Sequence, residues 1–85
     1  MSELTRKANS VQNKESFIDF LSFLINDLDI NSAEWENKTL KDYLEAMQSW
    51  VEDMEGYYIN NQISLPKKIE WKIFADILIA SKMYE

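Results

Sequence analysis

Residues 27–40 read DLDINSAEWENKTL, and the architecture turns on whether this stretch wraps a cation or joins two helices. Asp27, Asp29 and Asn31 stand two residues apart, as oxygen ligands do at the start of an EF-hand loop. Such a loop also needs glycine at its sixth position for a sharp turn and a bidentate glutamate at its twelfth. Counted from Asp27, those positions hold Ser32 and Lys38. An ammonium group cannot close a coordination sphere. Asp27, Asp29, Asn31 and Ser32 instead have short side chains that bond nearby backbone groups and end helices. Trp35 then returns a large apolar surface to the core, and Asn37 or Thr39 caps the next helix. Weak cation binding by Asp27, Asp29, Glu34 and Glu36 is the alternative, giving a calcium-responsive protein through the 27–36 loop.

On the upstream side, KESFIDFLSFLINDL repeats apolar residues at three and four residue steps: Phe17, Phe20, Leu21, Leu24, Ile25 and Leu28. This predicts a helix over about 14–29 with Asn13 or Ser16 as its cap, and Ile18 and Phe23 widen its stripe enough to need cover from two directions. Downstream, TLKDYLEAMQSWVEDMEG places Leu40, Tyr43, Leu44, Met47, Trp50, Val51 and Met54 on one arc, with Asp42, Glu45, Ser49, Glu52 and Asp53 opposite. Thr39 is its expected cap and Gly56 its expected left-handed terminator, which bounds a helix over about 39–55. YYINNQISLP at 57–66 has no helical stripe and reads as a structured loop, its tyrosine rings partly on the core. Pro66 suits the first turn of a third helix over about 67–84. Its apolar arc is the widest in the chain. Lys72 and Asp76 remain on the narrow outer face as an i, i+4 pair worth only a few tenths of a kcal/mol.

The expected fold is therefore all-α, a small single-domain bundle of three main helices with a structured loop before the last. Residues 14–85 form the domain and 1–13 an N-terminal arm. Composition agrees. One glycine and one proline are too few for a turn-rich β fold, while 46% apolar residues and three tryptophans can fill a small core.

The formal charge is −6, unevenly spread. Residues 1–14 carry Arg6, Lys7 and Lys14 against Glu3, a net +2; residues 15–62 carry eleven acids against Lys38 and Lys41, a net −9; residues 63–85 carry four lysines against three acids, a net +1. The acidic middle would repel phosphate backbones, so no nucleic-acid partner is expected. No apolar run reaches signal-peptide or membrane-span length, so the chain reads as soluble and cytoplasmic.

The absence of cysteine and histidine removes thiol and triad nucleophiles, the commonest general base and the usual zinc ligands. One glycine cannot build a phosphate loop. Carboxylate chemistry survives, but a bundle this small has little room for the enclosed cleft that two-acid hydrolysis uses. No enzyme and no cofactor are expected.

Binding is the stronger functional expectation. Small acidic one-domain proteins can act as inhibitors or immunity-type partners of basic proteins. The candidate face is Asp42, Glu45, Ser49, Glu52 and Asp53, with Glu34 and Glu36 beside it and Tyr57 and Tyr58 as aromatic anchors. A homodimer through Phe23, Ile79 and Met83 is the further alternative, since the first and third helices have wider apolar arcs than one neighbour covers.

Three ordered blocks, WENKTLKDYLEAMQSW (35–50), VEDMEGYY (51–58) and WKIFADILIASKMYE (71–85), resemble an uncharacterised family of small bacterial proteins, DUF7660. The resemblance covers about residues 15–85 and leaves out the basic N-terminal arm. It implies a complete single-domain bacterial protein. It carries no activity, substrate or cofactor to any residue.

Overall fold

The computed structural model describes residues 3–64 and 68–84. Among them the elements are four α-helices and one 3-10 turn, with no strand: α1 (Glu3–Asn9), α2 (Lys14–Ile30), the turn Ser32–Glu34, α3 (Leu40–Asn60) and α4 (Trp71–Ser81). The fold is all-helical as expected, with one helix more than the three read from periodicity.

The additional helix is α1, in the segment read as an arm. It is seven residues long, too short to hold itself in water, so packing must stabilise it. Leu4, Ala8 and the following Val11 are buried with Phe20, Leu24, Trp35 and Ala75 in one cluster. Lys7 fastens it to α2, its ammonium 2.8 Å from Asp19 and 4.6 Å from the centre of the Phe23 ring. Phe23 and Ile79, expected at a dimer interface, pack against this intramolecular cluster, whereas Met83 is half exposed.

Asn13 caps α2 in a full capping box. Its side chain accepts from the Ser16 amide at 2.8 Å, and the Ser16 hydroxyl accepts from the Asn13 amide at 3.1 Å. Thr39 caps α3 by accepting from the Asp42 amide at 3.1 Å. Both starts were legible from local side-chain chemistry.

The end of α3 was not. The helix runs through Gly56, which has ordinary helical backbone, and stops at Asn60. Gln62 takes the left-handed conformation instead, at φ 56°. The Ile63 amide donates to the Tyr58 carbonyl at 2.9 Å and the Gln62 amide to the Ile59 carbonyl at 3.1 Å, the paired bonds of a Schellman ending. Continuation past Gly56 costs about 1 kcal/mol in helix propensity. It is offset by Tyr58, whose ring is buried edge-on to Trp50 and whose hydroxyl donates to Asp76 at 2.8 Å. The expected loop over 57–66 is thus helical as far as Asn60.

Pro66, the expected start of the last helix, lies outside the described residues, as does Lys67. Residues 68–70 are not helical, and α4 begins at Trp71. This helix is central, packed on by α1, α2 and α3. Asp76 is not on an outer face: it is buried, held between the Lys72 ammonium and the Tyr58 hydroxyl.

The apolar face of α3 is also turned from its expected direction. Ala46, Trp50 and Tyr58 are buried, while Leu40, Leu44 and Val51 are exposed. The reason is that α3 packs on α4 alone and has no contact surface with α2, so one side of its apolar arc faces an open groove.

Candidate functional site

The 27–40 joint is where tertiary contacts converge. Asn31 ends α2 with its amide on the Asp27 carbonyl at 2.8 Å, and the turn Ser32–Glu34 carries Trp35 inward. Trp35 is buried, stacks on Tyr43 at 5.9 Å and donates its indole N–H to Asp27 Oδ2 at 2.7 Å. The same oxygen accepts from the Lys82 ammonium at 2.8 Å, and Oδ1 accepts from the Asn31 side chain at 3.0 Å. Burial alone would push the Asp27 carboxyl up. The Lys82, Asn31 and Trp35 hydrogen bonds and the Lys82 charge outweigh that and hold it below its ordinary value.

Asp27 was expected to end a helix by bonding nearby backbone groups. It is instead a hub between α2, the joint and the C-terminal end of α4, because Lys82, fifty-five residues away in sequence, folds over it. Its oxygens are engaged by three donors and face an ammonium group. Among the described residues no three acids, cysteines or histidines gather as a metal-binding group.

Asn37 extends this fastening. Its side-chain amide donates to the carbonyls of Ser81 at 3.0 Å and Tyr84 at 2.7 Å, and its backbone amide to Lys82 at 3.2 Å. These bonds lay the C-terminal residues across the start of α3. There Asn37, Asp42, Glu45, Ala46, Ser49 and Tyr84 line a shallow cleft of about 220 Å³. The Tyr84 hydroxyl donates to Asp53, and that bond raises its pKa first, with smaller contributions from burial and the Asp53 charge.

Of the residues expected on the binding face, Asp42, Glu45 and Ser49 come together at this cleft, and Asp53 joins it through Tyr84. Glu52 is exposed further along α3. Glu34 and Glu36 are exposed on the joint, to either side of Trp35. Tyr57 is part exposed and lines a different cleft, between α1 and α3, with Leu4 and Trp50. Tyr58 is no anchor for a partner. Its ring is core and its hydroxyl is committed to Asp76, with burial first and then Asp76 driving its pKa far above the usual tyrosine value.

Sequence reasoning missed Asn37 and Tyr84, which wall the cleft. Asn37 was legible only as a cap, and nothing local to Tyr84 pointed to Asp53 thirty-one residues away. Among the described residues, Asp42, Glu45 and Glu52 of the face have no ion pair; the four ion pairs there engage Glu3, Asp19, Asp27 and Asp76.

No curated protein and no solved structure matches this chain. A family model does match, over residues 13–85, from the Asn13 cap of α2 through α3 and α4 and leaving α1 outside. With nearly the whole chain matched, this protein belongs to a family of unknown function, DUF7660.

Proposed function

We propose that this protein is a non-catalytic, intracellular interaction module that presents the acidic side of α3 to a basic partner protein. The observation that carries the reading is charge left without a cation. Asp42 and Glu45 border one shallow cleft, Glu52 stands beyond it on the same helix, and none has an ion pair among the described residues. Such charge steers a cationic surface toward it over about 10 Å at moderate salt. Tyr84 and Asn37 add a hydroxyl and an amide at the cleft wall for orientation. The cleft is open to water, so it offers neither the desolvation nor the paired geometry that carboxylate catalysis uses.

The test is affinity capture from the native cytoplasm at low and moderate salt, with Glu45→Lys/Glu52→Lys as the control. A stoichiometric basic partner retained by the native chain and lost on reversal, with the helical circular dichroism unchanged, supports the reading. Equal capture by both proteins at low salt removes this face from consideration.

A further inference from the structure

The helix α1 stands apart from the rest of the fold in how it is held. The capping box that starts α2 is made by Asn13 and Ser16, and the Gln12 amide donates to the same Ser16 hydroxyl at 2.9 Å, so α2 begins without help from α1. The family match begins at residue 13, at that cap. A helix of seven residues cannot hold itself in water, and α1 rests on α2 and α4 through Leu4, Ala8 and the following Val11. The Lys7 to Asp19 ion pair that fastens it keeps 34% and 53% of the two side chains exposed, a setting in which such a pair contributes little.

Beneath those three side chains lies an apolar trough, with Phe20 and Leu24 of α2 on one side and Ala75 of α4 on the other. The trough is wider than its occupant. A cleft of about 310 Å³ remains between α1, α3 and α4, where Leu4 and Ala8 share the lining with Trp50, Tyr57 and Met83. Tyr57 and Met83 stay 41% and 50% exposed there. Thus α1 covers the trough without filling the space beside it. A helix with a larger side chain in the place of Ala8 buries part of Tyr57 and Met83 as well as Phe20, which is the differential contact that lets one ligand displace another.

We propose that the trough between α2 and α4 is a docking site for an amphipathic helix of a partner protein, and that α1 is its built-in occupant, released when that helix binds. The seated α1 shows what fits. Its anchors Leu4, Ala8 and Val11 follow steps of four and three, and Lys7, one residue before the second anchor, is received by Asp19 at 2.8 Å and by the Phe23 ring at 4.6 Å. The partner helix therefore repeats those steps, carries a lysine or arginine beside its middle anchor, and has a large aliphatic residue where α1 has Ala8. The trough shares no lining residue with the cleft of Asp42, Glu45 and Tyr84, so the proposal does not rest on the function proposed above.

The probe is a fluorescein-labelled peptide of residues 3–13 carrying Ala8→Leu, titrated by anisotropy against the full chain up to about 1 mM. Leu4→Ala/Val11→Ala in the chain loosens α1 and should tighten peptide binding about tenfold or more, because the occupied fraction of the site falls. Asp19→Lys added to that chain should weaken binding by a smaller factor, and Lys7→Glu in the peptide should recover it. No binding by the loosened chain overturns the proposal, as does equal binding by the loosened and native chains, or binding indifferent to Asp19→Lys. Loss of helical circular dichroism in Leu4→Ala/Val11→Ala also overturns it, since a releasable cover leaves the remaining helices folded. Native-state hydrogen exchange tests release in the unaltered chain. The Ser10 and Val11 amides, bonded to the Arg6 and Ala8 carbonyls, should exchange through an opening whose urea dependence is above zero and below that of α2 and α4. A zero slope means fraying with the trough still covered, and a slope equal to that of α2 and α4 means that α1 leaves only on global unfolding; either result overturns the proposal. Glu45→Lys/Glu52→Lys lies outside the trough and should leave peptide binding intact, which separates this result from the partner-capture experiment.

Discussion

Replacement of Asp27 by alanine probes the contact on which the joint depends. The substitution removes the acceptor of the Lys82 ammonium and of the Trp35 indole N–H at once. Asp27 and Lys82 have only 15% of their side-chain surface exposed, so this is a shielded pair and not a surface one. Deleting one member of a buried ion pair typically costs about 3–5 kcal/mol, and a buried N–H left without its acceptor about 1–3 kcal/mol. Lys82 sits on the last turn of the chain and can swing its ammonium into water, which puts the combined loss near the lower end, about 3 kcal/mol. Against a total stability of ~4–13 kcal/mol for a domain of this size, that is a large fraction. It corresponds to a fall in Tm of roughly 10–20 °C. Asp27→Asn retains an acceptor for Trp35 but not the charge, and should lose about 2 kcal/mol. Adding Lys82→Met removes the orphaned charge, so Asp27→Asn/Lys82→Met should lie within about 1 kcal/mol of the native chain. Urea unfolding at pH 7, followed by tryptophan fluorescence and circular dichroism, reads these as midpoint shifts at constant slope. A loss below about 1 kcal/mol for Asp27→Ala would refute the claim that this carboxylate holds the joint to α4.

The same group sets an acid limit. Its carboxyl is a stronger acid in the folded chain than the ordinary 3.8, so its contribution is complete above that value and fades as pH falls through the lower folded value. The urea midpoint should therefore drop as pH falls below about 4, and Asp27→Asn should flatten that part of the profile. Gly56→Ala should stabilise by about 0.5–1 kcal/mol, since Gly56 is helical and an added Cβ meets nothing within 4 Å; a destabilised variant in urea would contradict the continuous α3. Gln62→Gly should gain about 1 kcal/mol by relieving the left-handed residue, again read from the urea midpoint. Asn37→Ala should cost about 1–2 kcal/mol and speed amide exchange at Tyr84, because two carbonyl acceptors lose their donor.

Features that depend on nearest neighbours were legible beforehand. Asn13 with Ser16 and Thr39 before Asp42 are short-range hydrogen-bonding units, and each cap is one of the two residues the sequence offered for it. The reading of 27–40 as a joint also held, because Ser32 and Lys38 occupy positions an EF-hand cannot spare. Residues at the spacing of Asp42, Glu45 and Ser49 share a helix face by geometry alone, so half of the cleft was visible too. The other half was not, because Tyr84 and Asn37 reach it through bonds spanning dozens of residues.

Periodicity fails in a consistent way where a long-range partner takes over. The stripe of α3 marked an apolar arc but not which part of it would meet α4, so Leu40 and Leu44 came out exposed and Ala46 buried. Asp76 looked solvent-facing because a helix pattern cannot anticipate the Tyr58 hydroxyl arriving from another helix. In α1 the apolar residues are too few to announce a helix by themselves, and the groove left by α2 and α4 supplies the missing stabilisation. The sequence by itself determined the helical class, the starts of α2 and α3 and the acidic middle, all of which follow from side chains close in sequence. Tertiary structure alone decided where α3 ends, that Asp27 turns inward to the Lys82 ammonium and Asp76 to the Tyr58 hydroxyl, and which apolar faces stay open, because those depend on burial energy shared between residues far apart in the chain.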